Sequence, residues 1–240
     1  MSGPAVDLTT RVAGLALDNP IVTASGCFAS GREMQRFVDV GRIGAVVVKS
    51  LTAAPRQGLP TPRMVETPSG MLNAIGLQNP GVDAWLEQDL PWLVERGATT
   101  VVSIAGDSVD DFAHVARRLR GAPGVGAIEV NLSCPNVEHR GLVFALDPQA
   151  SAELVRAVRR VSDVPVLAKL TADAADVATL EILEPDDMGV HCASFRAVSF
   201  LFAGTVSGQF APCVDPDQGS ARLRGETCQR GHGGAPPCRT

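Results

Sequence analysis

The stretch VGAIEVNLSCPN, residues 125–136, runs an apolar segment directly into a short polar turn in which Cys134 stands between Asn131 and Asn136. An apolar run of this length, bounded by turn residues, reads as a buried strand. The cysteine and both amides therefore fall where that strand ends, which is the layout of a small polar active site. The chain has two lysines, Lys49 and Lys169, and each closes a similar run, AVVVKS and VPVLAKL. In a barrel of parallel strands wrapped by helices, the C-terminal strand ends make up the face on which catalytic groups collect. Three strand ends of one polarity predict a shared pocket.

Working outward, short Val/Ile/Ala-rich runs alternate with longer segments of helical period, the pattern of a parallel sheet built from βαβ units. Strands are predicted at residues 21–24, 45–49, 100–104, 127–131 and 166–169, and helices at 31–40, 82–96, 108–120, 147–162 and 174–183. Ahead of them, VDLTTRVAGLALDN reads as a hairpin turning at Ala13 and Gly14, placed to plug the lower end of the barrel. The segment 51–80 is too long for a plain connection and is dense in Gly, Pro and Asn. Such a loop in a domain of this kind is usually functional, so it is expected to cover the site.

Composition narrows the class. Of 240 residues 45% are hydrophobic and 20% charged, which suits a globular enzyme with a sizeable core. A net charge of -5 disfavours a nucleic-acid surface, which needs a basic face. No apolar stretch approaches the roughly 20 residues of a spanning helix, so no membrane association and a cytoplasmic setting are expected. In that reducing compartment the six cysteines are read as thiols or core filler. Cys27, after the first strand, reads as a buried structural cysteine. With no CxxC pair a metal site is not expected. His114 falls in a predicted helix, and His139, between Glu138 and Arg140, reads as part of a solvated charge cluster.

The stretches NPIVTASGCF (19–28), GAVVVKSLT (44–52), PRMVETPSGMLNAIGLQNPG (62–81), EVNLSCPN (129–136) and PVLAKLT (165–171) together resemble class 1 dihydroorotate dehydrogenase in its 1B form, over about residues 1–180. The resemblance implies an FMN-binding (β/α)8 TIM barrel, here incomplete at about five βα units over residues 1–183, and oxidation of dihydroorotate to orotate in pyrimidine biosynthesis. Cys134 would be the base that removes the C5 proton while hydride leaves C6 for the flavin. Lys49, Asn73, Ala74, Ile75, Gly76, Leu77, Asn131 and Asn136 would contact the substrate. Ser25, Lys49, Ser50, Ser103, Asn131 and Lys169 would hold FMN, with Lys169 opposite negative charge on the reduced ring. Ser103 stands where many relatives carry Asn, and FASG (28–31) replaces an aromatic-containing loop.

The 1B resemblance also implies an oligomer and an electron-transfer partner subunit carrying FAD and an iron-sulfur cluster that passes electrons to NAD. Residues 184–240 hold Cys192, Cys213, Cys228 and Cys238 with little period, and read as a disordered or out-of-family tail. A barrel of this kind takes about 250 residues and builds its phosphate site after strands seven and eight, so the chain is expected to hold FMN weakly on its own. Two other readings stay open: a non-catalytic fragment of the same enzyme, and a flavin barrel that reduces tRNA uridines.

Overall fold

The computed structural model describes residues 6–132, 144 and 147–170, together with the backbone of 190–192. Cys134, Asn136, His139, the helix expected at 174–183 and nearly all of 184–240 lie outside these residues.

The chain opens with a hairpin of β1 (Thr10–Val12) and β2 (Leu15–Leu17), paired antiparallel with Val12 opposite Leu15. Its two-residue turn needs left-handed backbone at both positions, and Ala13 and Gly14 supply φ of 53° and 81°. A parallel sheet follows, made of β3 (Val46–Val47), β6 (Thr100–Ile104), β7 (Val125–Asn131), β8 (Val166–Lys169) and β9 (Val190–Cys192), side by side in chain order. Neighbouring parallel strands in sequential order, joined by helices, give the α/β topology of a barrel wall. The described strands form part of such a barrel.

Three expectations change. The segment 21–24 joins the sheet through a single parallel bridge, Val22 to Ala45, because the Thr23 hydroxyl accepts the Val47 N–H at 2.9 Å and takes the place of a backbone rung. The helix expected at 31–40 is a string of turns ending in the 3-10 turn Val40–Arg42. Here Gly31 is left-handed at φ 87°, and the Gln35 and Asp39 side chains accept the N–H groups of Val40 and Gly41, diverting donors that a helix would use. Finally, β9 pairs with β8, Val166 opposite Val190, in a stretch that reads as aperiodic. Three residues are too few to reveal a period of two.

Helices α1 (Val82–Glu95), α2 (Val109–Leu119) and α3 (Pro148–Val161) lie close to the expected spans. The starts of α2 and α3 are chemically marked. The Ser108 hydroxyl accepts the Asp111 N–H at 3.2 Å, and the Asp147 carboxylate accepts from Gln149 and Ala150, with Pro148 in the first turn. Alternation along the strands splits the core in two. Val46, Val48, Val102, Ile104, Ile128, Val130, Val166 and Ala168 pack outward on Trp85, Leu93, Phe112, Val115 and Leu154 of the helices. Ala45, Val47, Val101, Ala127 and Leu167 turn inward and meet Leu17, with Val12, Ala13 and Leu15 against them. A Cβ added to Gly126 would stand 3.2 Å from Leu15 Cδ1, which fixes the hairpin beside the N-terminal end of β7. The plug expected at the lower end is present.

Segment 51–80 is not a featureless loop. It contains a second hairpin, β4 (Met64–Thr67) and β5 (Gly70–Asn73), whose side chains Met64, Val65, Met71 and Leu72 are exposed. Gly/Pro/Asn-rich composition hid these strands, because an exposed ribbon has no buried face to impose alternation.

Candidate active site

The inward positions that are apolar near the hairpin become polar two residues further along each strand. Val47 is followed by Lys49, Val101 by Ser103, Ala127 by Glu129 and Asn131, and Leu167 by Lys169. Side chains two apart share a face of a strand. One turn of the barrel wall therefore carries an ammonium, a hydroxyl, a carboxyl, an amide and a second ammonium. Pairing aligns them: Ser103 lies opposite Glu129, and Asn131 opposite Lys169.

Hydrogen bonds link several of these groups and two neighbouring serines, while Lys49, Glu129 and Lys169 are half-buried. Ser25, Ser50, Ser103 and Asn131 are all buried. Asn131 Nδ2 donates to Ser50 Oγ at 3.0 Å, Ser50 Oγ and Ser103 Oγ are 2.9 Å apart, and Lys169 Nζ donates to Ser25 Oγ at 3.2 Å. Five of the six expected cofactor residues thus fall into one cluster, drawn from four strand ends and the segment after Val22. The sixth, Lys49, is half-buried at the end of the β3 segment, its backbone N–H bonded to Ala29 O at 2.9 Å.

Glu129 is the group the sequence reading passed over. Its Oε1 is shut off from solvent and has no hydrogen-bond partner among the described residues. Burial pushes its carboxyl above the ordinary range, while Lys169 and then the hydroxyls of Ser103 and Ser25 pull it back. A signal was present: an acidic residue inside an apolar strand run, two positions before Asn131 and so on its face. Cys27 corrects an expectation in the opposite sense. It is exposed rather than buried. Partial burial raises its thiol pKa, and Lys169 followed by Lys49 lowers it, so the thiol lies within the field of both ammonium groups. The segment after Val22 is buried at Ser25 and Phe28 and exposed at Gly26 and Cys27 between them.

The loop residues expected to touch substrate divide by burial. Asn73 and Ala74 are exposed, Ile75 and Gly76 are half-buried, and Leu77 is buried in the helix-side core. Gly76 and Leu77 are both left-handed, at φ 75° and 56°, so the chain turns sharply there. What returns this loop to the strand ends is Asn79, also missed from sequence. Its Oδ1 accepts from Thr52 N at 3.1 Å and Gly81 N at 2.9 Å, and its Nδ2 donates to Leu77 O at 2.8 Å. A buried amide that uses both of its ends in this way ties the base of the loop directly above β3.

The donor set suits FMN. Two half-buried ammonium groups, three buried hydroxyls and a buried amide along one wall match the edge of a heteroaromatic ring that carries carbonyl oxygens and ring nitrogens. Among the described residues no cluster of His, Cys, Asp and Glu has the makings of a metal site, and no helix is long and apolar enough to cross a membrane.

Comparison with known proteins follows the same line. The family model for dihydroorotate dehydrogenase matches residues 7–191, which carries the match through β9 rather than to about 180. The chain is 49% identical over 173 residues to the dihydroorotate dehydrogenase B (NAD(+)) catalytic subunit of Anoxybacillus flavithermus, covering 72% of this chain and 55% of that protein. It is 43% identical over 202 residues to the subunit of the same name from Geobacter sp. strain M21, covering 84% and 64%. The chain thus spans somewhat more than half the length of these relatives. A crystal structure of DHODH from Eimeria tenella in complex with ferulenol superposes with a TM-score of 0.63 at 18% identity, covering 77% of this chain and 57% of that one, and so shares the fold.

Proposed function

The chain belongs to the dihydroorotate dehydrogenase family, and we propose that its strand ends form the working wall of an NAD-linked 1B enzyme that oxidises dihydroorotate to orotate. The observation that carries this reading is the change of the inward strand positions from apolar to ionic and hydrogen-bonding within two residues. A barrel that served only as a scaffold would fill those positions with more Val and Leu.

The reaction removes a proton from C5 and a hydride from C6. FMN, when bound, supplies the hydride acceptor. Cys134, three residues beyond the end of β7, is the base for the C5 proton, and its thiolate fraction at neutral pH rises wherever cations or donors stand near. Lys49 pairs its ammonium with the substrate carboxylate, and Asn131 and Asn136 hydrogen-bond the ring amides. Asn73, Ala74, Ile75, Gly76 and Leu77 close over the substrate, Leu77 through its main chain because its side chain belongs to the core. Ser25, Ser50, Ser103 and Lys169 hold the cofactor's polar edge, and Lys169 offsets negative charge that develops there. A partner subunit with FAD and an iron-sulfur cluster would carry the electrons on to NAD. The naming of the relatives as catalytic subunits supports such a partner, and an oligomeric assembly is expected with it.

The test is anaerobic. The full chain is given excess FMN and then dihydroorotate, with the flavin absorbance followed and a tRNA substrate as the second arm. Bleaching by dihydroorotate alone is expected. Bound FMN that stays oxidised with dihydroorotate overturns the reading, and chemically reduced FMN that regains its absorbance on addition of tRNA replaces it with a uridine reductase.

A further inference from the structure

The excursion that carries Asn73 to Leu77 is closed at a neck. Arg56 N–H donates to Asn79 O at 2.9 Å and Asn79 N–H donates to Arg56 O at 3.0 Å, so residues 57–78 leave and return through one antiparallel pair. One side of this neck is fixed at the start of α1. The Asn79 side chain accepts the N–H groups of Thr52 and Gly81 there, and a Cβ added to Gly81 would stand 2.9 Å from Pro55 N, so the packing leaves no slack.

The other side is held by charge. The half-buried Arg56 guanidinium forms an ion pair with the carboxylate of Asp107, in the turn that leads from β6 into α2. That turn is itself fixed, since Asp107 N–H donates to Asp111 Oδ2 at 3.1 Å and Ser108 Oγ donates to the same oxygen at 2.9 Å. It follows the strand that brings Ser103 to the site. Beyond the neck, Met64, Val65, Met71 and Leu72 of the ribbon are exposed, and Arg63 bonds Leu59 O and the Gln78 side chain inside the excursion. Among the described residues, the buried Leu77 and the neck therefore set where the ribbon stands.

We propose that Arg56 and Asp107 are positioning residues: their ion pair latches the neck to the β6–α2 turn and so sets where residues 73–77 stand above the strand ends. The proposal rests on the reading of those residues as substrate contacts. Arg56 can act as the latch because its main chain belongs to the neck while its guanidinium reaches the barrel wall. A pair this close to the surface contributes little to the stability of a whole fold. A loop that moves between two positions of similar free energy responds to a bias of that size, and the apparent affinity of a ligand falls with the fraction of chains held in the competent position.

The test is a double-mutant cycle of Arg56→Gln and Asp107→Asn in the full chain. Without cofactor or substrate, amide exchange in peptides covering 56–79 is expected to rise by about fivefold in each single variant. The double variant should show the same rise and no more, because either substitution already opens the latch. High salt should raise exchange there in wild type and leave the variants unchanged, which gives the answer if a variant does not fold. With FMN bound, the KM for dihydroorotate should increase in step while kcat stays as in wild type, because saturating substrate restores the loop's position. Unchanged exchange over 56–79, single effects that multiply in the double variant, or a loss carried by kcat overturns the proposal. A pair that served stability alone would raise exchange along β6 and α2 as well and leave KM in place, which overturns it too. Because the exchange arm uses neither FMN nor dihydroorotate, a chain that shows the non-additive rise yet leaves dihydroorotate untouched would sink the functional reading and leave the latch standing.

Discussion

The two ends of the barrel interior are built on the same strands and do opposite things. Near the N-terminal ends Ala45, Val47, Val101, Ala127 and Leu167 close on the hairpin's Leu17 and exclude water with no polar group to satisfy. One inward position later Lys49, Ser103, Glu129 and Lys169 replace them. Because strand side chains alternate, the change needs no change of backbone. The lower end can supply rigidity by apolar burial, while the upper end holds buried hydroxyls and an amide beside a half-buried carboxyl and two half-buried ammonium groups. Preorganised polar groups of this kind are what stabilise developing charge.

If that division holds, substitutions at the two ends should separate activity from stability. The largest effect is expected from Cys134→Ala at the upper end: dihydroorotate-dependent flavin bleaching should slow by about a thousandfold, roughly 4 kcal/mol of barrier, with the thermal midpoint unchanged. Stopped-flow absorbance beside a melting curve checks both halves, and a matching loss of stability would break the contrast. At the lower end Leu17→Ala should cost about 2–4 kcal/mol in urea unfolding, since Leu17 is 3% exposed and fills the hairpin contact, while FMN affinity of the folded protein stays as in wild type.

Asn79→Ala sharpens the contrast at the border between loop and barrel. Removing the amide leaves the Thr52 and Gly81 N–H groups and the Leu77 carbonyl to find new partners, a cost of about 1–3 kcal/mol. Amide exchange should rise across 51–80 and not in β1 and β2, as mass spectrometry of exchanged peptides would register. The smallest effect belongs to Glu129. Burial raises its pKa above the ordinary 4.5, so the folded chain keeps a proton that the unfolded chain has already released. Stability should then be highest below that value and decline as pH rises from it to the raised folded pKa. Urea midpoints over that window should slope downward in wild type and lie flatter in Glu129→Gln.

Much of the architecture could be read from residue patterns because its cause is local. Apolar runs at 100–104, 125–131 and 166–169, the Ala13-Gly14 turn, and the caps Ser108 and Asp147 each carry their own signal within a few positions. Failures fall where the decisive partner is distant in sequence. Residues 31–40 have a helical pattern, yet side-chain acceptors and a left-handed Gly31 outweigh it. Thr23 replaces a strand rung from 24 residues away. The strands at 64–67 and 70–73 lack a buried face to betray them.

The site divides in the same way. Strand-end position was legible for Lys49, Asn131 and Lys169, because each closes an apolar run, whereas Ser25, Ser50 and Ser103 were nominated by the family resemblance. Their partners follow from a different cause. That Lys169 meets Ser25 across 144 residues, that Asn131 meets Ser50 across 81, and that Glu129 stands opposite Ser103 depends on how neighbouring strands register in the folded sheet. Cys27 came out of the core, and Glu129 went into the site, for that reason. Pattern along a chain specifies which face a residue occupies, but burial and charge environment are properties of the groups that arrive opposite it, and those are set when the strands pack.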